Sequence, residues 1–284
     1  MTRMSSRNPP TVRMRRLASE LRRLRTAAGM SREDVAAKTD INVVTLYRLE
    51  TAKGRPQRRT MTTLLDIYDV QGEQRTELMT LLRAAGEKGW LQPYFSSIPE
   101  EYSLYIQLES EAESVRNYES LLVPGLLQTT AYTRASAQGQ SPTLTGEEVD
   151  LQASIRTSRQ ALLTRSNPLT LWAIVDEAVL RRVVGGPDVM REQYKYLLSM
   201  MGLPNVTFQV VPFGAGSHPG MLGAFSLLDF SPPDPAVVCL ETMAGSLFQE
   251  TEGEVAAGTL RYDHLRAMAL SPAESTRMVT DLLH

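Results

Sequence analysis

The chain has 284 residues, 42% of them hydrophobic and 22% charged, which suits one large or two ordinary globular domains with a real core. Its formal net charge is −2, Cys239 is its single cysteine, and its most apolar run, LTLWAIVDEAVL, is short and broken by Asp176 and Glu177. These features exclude an internal disulfide framework and a bilayer-spanning segment; with an N-terminus that lacks an apolar core, they lead to the expectation of a protein of the reducing cytoplasm, without secretory signal or membrane role.

The near-zero charge conceals an asymmetry. Residues 1–90 hold 18 Lys and Arg against 10 Asp and Glu, and the remaining residues hold 12 against 22. A basic head on an acidic body points to a head that meets a polyanion, against the plain alternative of charges clustered on a solvated surface. The first residues, up to 14, are polar and proline-bearing and read as a flexible basic arm. From Arg15 the pattern turns helical, with Leu17, Leu21, Leu24 and Ala28 on one face and Gly29 ending the helix. Ser31 caps a second helix, with Asp34 as the partner of a weak capping box, Val35 pointing inward and the small Ala36 allowing a close crossing. TDIN forms the turn, Ile41 tucks beneath it, and Asn42 caps a third helix whose Leu46 and Leu49 face the core. Gly54 is expected to stop that helix. MTTLLDIYDV and EQRTELMTLLRAAG close an all-α, five-helix domain over residues 15–88.

In that arrangement the third helix is a ridge with Val43, Val44, Tyr47 and Arg48 outward and Asn42 at its start. Arginine can pair with guanine, asparagine with adenine, and valine methyls can lie against thymine methyls, which makes these five the expected base-contacting set. Arg32, Thr45, Lys53, Arg55, Arg58 and Arg59 are the expected phosphate contacts. The plain alternative is a small helical bundle with a basic surface.

The run LRRLRTAAGMSREDVAAKTDINVVTLYRLETAKGRP resembles the lambda-repressor-like helix-turn-helix family, also called the xenobiotic-response-element family. The resemblance implies the same base-facing set and a structural ion pair between Arg25 and Glu50. The chain departs from the family pattern at Asp40, where a left-handed turn residue is often glycine, and at Tyr47, where a small residue is more common.

Beyond the head, GEKGWLQPYFSSIPEEYS reads as a partly packed connector over 89–104, and residues 105–284 as an α+β domain. LYIQLESEAESVRNYES is expected to be helical, with Tyr105, Leu108, Ala112 and Val115 on one stripe, followed by helices in VPGLLQTTAYTRA and GEEVDLQASIRTSRQALLT. LTLWAIVD and NVTFQVVPF are expected strands joined by a helix over DVMREQYKYLLSMMG, with Met190, Tyr194, Leu197, Leu198 and Met201 at core spacing, forming a parallel crossover. GAFSLLDF and AVVCLETM add strands, and two C-terminal helices close a mixed sheet flanked by helices. His218, His264 and His284 stand apart in the sequence. Ser217 and His218 in GAGSHPGMLG could be drawn into a dyad, or the glycines into an anion nest; a plain connection between strands is the simpler reading. A Met-rich helix face reads as core before it reads as a pocket. No metal-ligand spacing, phosphate loop or dinucleotide fingerprint occurs, so neither catalysis nor a cofactor is expected.

YESLLVPGLLQTTAYTRA, LWAIVDEAVLRRVVGGPDVMREQ, NVTFQVVPFGAGSHPGMLGAFSLLDF and AMALSPAES are similar to the C-terminal domain of actinobacterial WhiJ-like, antitoxin-like regulators. That resemblance implies a transcription regulator whose body senses a small-molecule effector or binds a protein, with a small toxin-like protein as the suggested partner. The expected state on double-stranded operator DNA is a homodimer that spans two half-sites. The alternative is an antitoxin-like protein that mainly holds its partner and autoregulates its operon.

Overall fold

The computed structural model describes residues 12–85, 98–232, 234–242 and 245–283. It divides into two compact units, residues 1–108 and 109–284. The expected arm lies outside the described residues except for 12–14, which open the first helix; the expected connector lies largely outside them.

The first unit packs α1 (Val12–Ala27), α2 (Arg32–Lys38), α3 (Val43–Glu50), α4 (Arg58–Ile67) and α5 (Gly72–Ala84). Leu17, Leu21 and Leu24 of α1 meet Val35, Leu46, Leu49, Met61, Leu64, Leu65, Leu78 and Leu82 in one core. Ala28 is exposed rather than on the core stripe, because α1 has ended one residue before it. α2 starts with a full capping box: Asp34 N donates to Ser31 Oγ at 3.0 Å, and Ser31 N donates to the Asp34 carboxylate at 2.8 Å. Asp40 is not left-handed. The turn into α3 forms instead with Thr39 extended at φ −135°, its hydroxyl donating to Val35 O at 2.8 Å and accepting from Ile41 N at 3.2 Å. The stop of α3 also differs from expectation. Ala52, not Gly54, takes the left-handed conformation, at φ 54°, while Lys53 N reaches back to Arg48 O at 2.8 Å.

α6 (Glu100–Glu111) carries the boundary between the units. The helix expected to continue from it does not: Ser114–Glu119 is strand β1. Ala112 and Val115 are buried and fit the helical stripe by spacing, but Val115, Asn117 and Tyr118 belong to a strand paired on both sides. The remaining strands are β2 (Thr170–Asp176), β3 (Val206–Val211), β4 (Phe225–Asp229), β5 (Val237–Thr242) and β6 (Gly245–Gln249). The sheet order is β3-β2-β1-β4-β5-β6, with β1, β2 and β3 parallel and the other pairings antiparallel. β6 was not foreseen.

Between β1 and β2 lie α7 (Thr130–Gln140) and α8 (Gly146–Gln160); between β2 and β3 lie the short, unforeseen α9 (Glu177–Arg181) and α10 (Pro187–Met201). Both crossovers step in the same direction, so right-handed connection places their helices on one face, and α7 touches α10. α10 buries Met190, Gln193, Tyr194, Leu197 and Met200; Leu198 and Met201 are only half-buried. The α11 helix (Glu252–Met268) lays Tyr262 and Leu265 against Tyr118, Ile174, Val211, Phe225, Leu227 and Val238, and α12 (Pro272–Asp281) packs on α10 and β3. Gly258 is required in α11, since a Cβ there would press on Val238.

Polar groups inside this unit are mostly matched. Arg159 on α8 and Glu109 form a fully buried bidentate pair with both contacts at 2.7 Å. Gln193 receives Thr129 N at 2.8 Å and donates to Leu127 O at 2.7 Å.

Candidate nucleic-acid interface

α3 is held by its ends and its underside. Asn42 Oδ1 accepts from Thr45 N at 2.7 Å, so the cap fixes where the helix begins. Leu46, Leu49 and Glu50 are buried, which leaves residues 42, 44, 47 and 48 toward solvent. Val44 is 68% exposed and Tyr47 45% exposed; Val43 and Thr45 are half-buried. Two large apolar side chains held in water on an eight-residue helix require a reason, since the hydrophobic effect would otherwise bury them.

Glu50 locks the helix from below. Arg25 Nε donates to Glu50 Oε1 at 2.6 Å and Arg25 Nη2 to Oε2 at 3.2 Å; the same Arg25 reaches Met30 O at 2.7 Å. Arg32 Nε also donates to Glu50 Oε2 at 2.8 Å. One buried carboxylate thus takes two guanidinium groups, and removing it would strand both. The Arg25 guanidinium is held above its ordinary pKa, chiefly by the hydrogen bond it donates to Glu50.

Arg32 therefore stands differently from the other expected phosphate contacts. Its guanidinium is engaged by Glu50 and lies 5.4 Å from the centroid of the Tyr47 ring, while Lys53 Nζ lies 5.7 Å from the same ring. Two cations near one aromatic ring, with a carboxylate behind one of them, brace Tyr47. The spacing of residues alone does not show this, because Arg32 and Glu50 are 18 positions apart.

Beyond α3, Lys53, Arg58 and Arg59 are exposed, and Arg58 and Arg59 open α4, whose first turn holds no acidic residue. Cationic side chains at a helix N-terminus favour an anion twice over, by charge and by the helix dipole. Arg55 donates through Nε and Nη2 to Leu82 O at 3.2 and 2.8 Å, tying the exit loop to α5. A cleft of about 570 Å³ opens there, lined by Arg55, Pro56, Gln57, Arg58, Met79, Leu82 and Arg83. Six of the eleven expected contacts, Asn42, Val43, Val44, Thr45, Tyr47 and Arg48, lie on or at the start of α3; Lys53, Arg55, Arg58 and Arg59 follow on its exit.

In the second unit His218 is not isolated. Its Nε2 lies 3.3 Å from Asp176 Oδ2, and its ring stands edge-on to Tyr118. Gly220 sits on the Tyr118 ring so closely that any side chain there would overlap it. Ser217 is exposed, and the segment joins β3 to β4. Cys239 is buried, its thiol pushed up to about 12 by burial first and by the carboxylate of Glu241 next, so it carries no thiolate near neutrality. Glu119, half-buried at the end of β1, is pushed up to about 8 by burial and then by Glu241. Among the described residues no group of His, Cys, Asp and Glu is placed to hold a metal ion, and no helix is long and apolar enough to cross a membrane.

Two family models match the chain. Residues 16–78 match a helix-turn-helix domain, and residues 102–281 match the domain of unknown function DUF5753. No curated protein and no solved structure matches it.

Proposed function

We infer that this chain, which belongs to the DUF5753 family and carries a helix-turn-helix domain ahead of that region, is a sequence-specific DNA-binding transcription regulator. The observation that supports it most is the outward ridge of α3: Val44 and Tyr47 held in water beside Arg48, above a core of leucines. A major groove accepts such a helix, and its base edges offer partners for an arginine, an asparagine amide and a pair of valine methyls. Asn42 uses its carbonyl as a cap, which leaves its amide group for a base.

Lys53, Arg58 and Arg59 bind phosphate in this reading, and Arg55 and Thr45 support the backbone track from either end of α3. Arg32 acts as a brace that orients Tyr47 more than as a phosphate contact. The chain works in the cytoplasm as a homodimer on double-stranded operator DNA. Its body does no catalysis; it takes a small-molecule effector or a small partner protein and biases the heads, as the likeness to WhiJ-like actinobacterial regulators suggests. In the antitoxin-like variant of this reading, holding the partner is the main task and DNA binding serves autoregulation.

The test is a selection. The full-length protein is incubated with a library of random duplexes, and the bound fraction is sequenced over several rounds. The reading expects enrichment of a short motif in two copies about one helical turn apart. Recovery of unenriched sequence at every salt concentration would leave only a basic bundle.

A further inference from the structure

We propose that Arg83 of α5 is a further DNA-backbone contact, and that the cleft between the exit of α3 and the last turn of α5 seats a phosphate of the duplex. It deepens the regulator reading and rests on it for a polyanionic partner. It also adds α5 to the elements that meet DNA, beyond the contacts expected of α3 and α4.

Three arginines reach this cleft from parts of the chain far apart in sequence. Arg55 precedes α4, Arg58 opens it, and Arg83 stands in the last turn of α5. All three are exposed, while the buried Pro56 and Leu82 and the half-buried Met79 give the cleft apolar walls. One cation in a last helical turn is ordinary, because the helix dipole favours it. A second arginine drawn to the same turn is not. Arg55 is pinned there: its Nε and Nη2 both donate to Leu82 O, 27 positions along the chain. Arg83 is the next residue after Leu82, so the fold brings two like charges to one wall, where they repel each other unless an anion lies between them.

Elsewhere the head provides its arginines with carboxylates. Arg23 meets Glu20, Arg25 and Arg32 meet Glu50, and Arg75 meets Asp66. At the cleft it provides none. Residues 51–65 and 78–85 contain no Asp or Glu, and among the described residues Arg55, Arg58 and Arg83 have no ion pair. A cleft lined by one sign of charge over apolar walls focuses its field and concentrates an anion in the opening. Guanidinium forks match the oxygens of a phosphate. Arg58 belongs both to the cleft and to the phosphate track beyond α3, so the cleft continues that track onto α5. This continuity, with the 18 Lys and Arg against 10 Asp and Glu of residues 1–90, selects a polyanion over a single small anion.

The test is titration of the full-length protein with the selected motif and with random duplex over a salt series, in wild type, Arg83→Ala, Arg83→Lys and Arg75→Ala. Arg75 lies on the same helix and is paired with Asp66, so its variant controls for the change in net charge. Arg83→Ala is expected to keep the wild-type melting curve and to weaken both duplexes alike. The loss is about three- to tenfold per bound subunit near ~0.1 M salt, with a salt slope lower by about 0.9. Arg83→Lys is expected to keep the wild-type slope, and Arg75→Ala to keep both slope and affinity. A scan of duplexes that each carry one neutral methylphosphonate is expected to find a backbone position that weakens wild type and leaves Arg83→Ala unmoved. An Arg83→Ala slope equal to that of wild type overturns the proposal, as does an equal fall in Arg75→Ala. If a motif is enriched while the Arg83→Ala slope stays unmoved, the regulator reading stands without the cleft. A lowered slope on random duplex with no motif enriched upholds the cleft and overturns the sequence-specific reading instead.

Discussion

Both units hold large apolar side chains in water, and they do so in opposite electrical settings. In the head, Val44 and Tyr47 stand among Arg32, Arg48 and Lys53. In the body, Phe213, Met221 and Leu222 stand on a stretch without a single acidic or basic side chain other than His218. Apolar groups ringed by cations suit a partner that is itself anionic with flat or methylated faces between its charges, as a duplex is. The same physical oddity thus arises in two different settings.

The units also bury charge differently, and variants that unpair those charges separate them most sharply. Arg159 and Glu109 are both fully buried, so Arg159→Met leaves a carboxylate with no partner and is expected to lower the stability of the body by about 3–5 kcal/mol. Denaturant melts followed by a body probe check it. Glu50→Ala strands Arg25 and Arg32, which are nearer to solvent, and is expected to lower the stability of the head by about 2 kcal/mol. If both variants shifted one shared transition equally, the two units would not be melting separately and the comparison would fail.

pH sharpens the contrast in the same way. Glu119 holds its proton in the folded body up to about pH 8, while an unfolded glutamate releases it near ~4.3. Between these values the folded state binds more protons, so body stability is expected to fall as pH rises from about 5 to 8. Glu119→Gln is expected to flatten that slope and leave the melting of the head unmoved. The smallest expected effect lies in the head: Ala52→Gly relieves a left-handed alanine at the end of α3 and is expected to add about 0.5–1 kcal/mol.

The head was legible in the sequence because its signals are local. A cap at Asn42, leucines three apart and a cationic exit fall within one short stretch, and the structure keeps Leu46 and Leu49 buried with Tyr47 and Arg48 outside. The misreadings there are local too. Gly54 looked like the stop, yet backbone pairing back to Arg48 fell two residues earlier and forced Ala52 into the left-handed region. Asp40 looked like a left-handed turn, yet the Thr39 hydroxyl supplies the turn bonds in an extended backbone.

The body was less legible because its signals are distant. The helical spacing of Tyr105, Leu108, Ala112 and Val115 runs on by coincidence into β1, and nothing nearby reveals that Ser114–Glu119 pairs with both β2 and β4. β6 is five residues with little burial, too short to announce itself. His218 meets Asp176 across 42 positions and Arg159 meets Glu109 across 50, relations that only the fold creates. The engagement of Arg32 with Tyr47 and Glu50 belongs to the same class, since Glu50 lies 18 positions away in the chain.

The central claim is that the crest of α3 reads base pairs. Its most direct measurement is the ratio of affinities for the selected motif and for random duplex, in wild type, Arg48→Ala and Lys53→Ala across a salt series. The account predicts that Arg48→Ala loses about 1–3 kcal/mol on the motif alone, and that Lys53→Ala weakens both duplexes alike while its salt slope falls by about 0.9. An equal loss on both duplexes for Arg48→Ala, with the ratio unchanged, would contradict it.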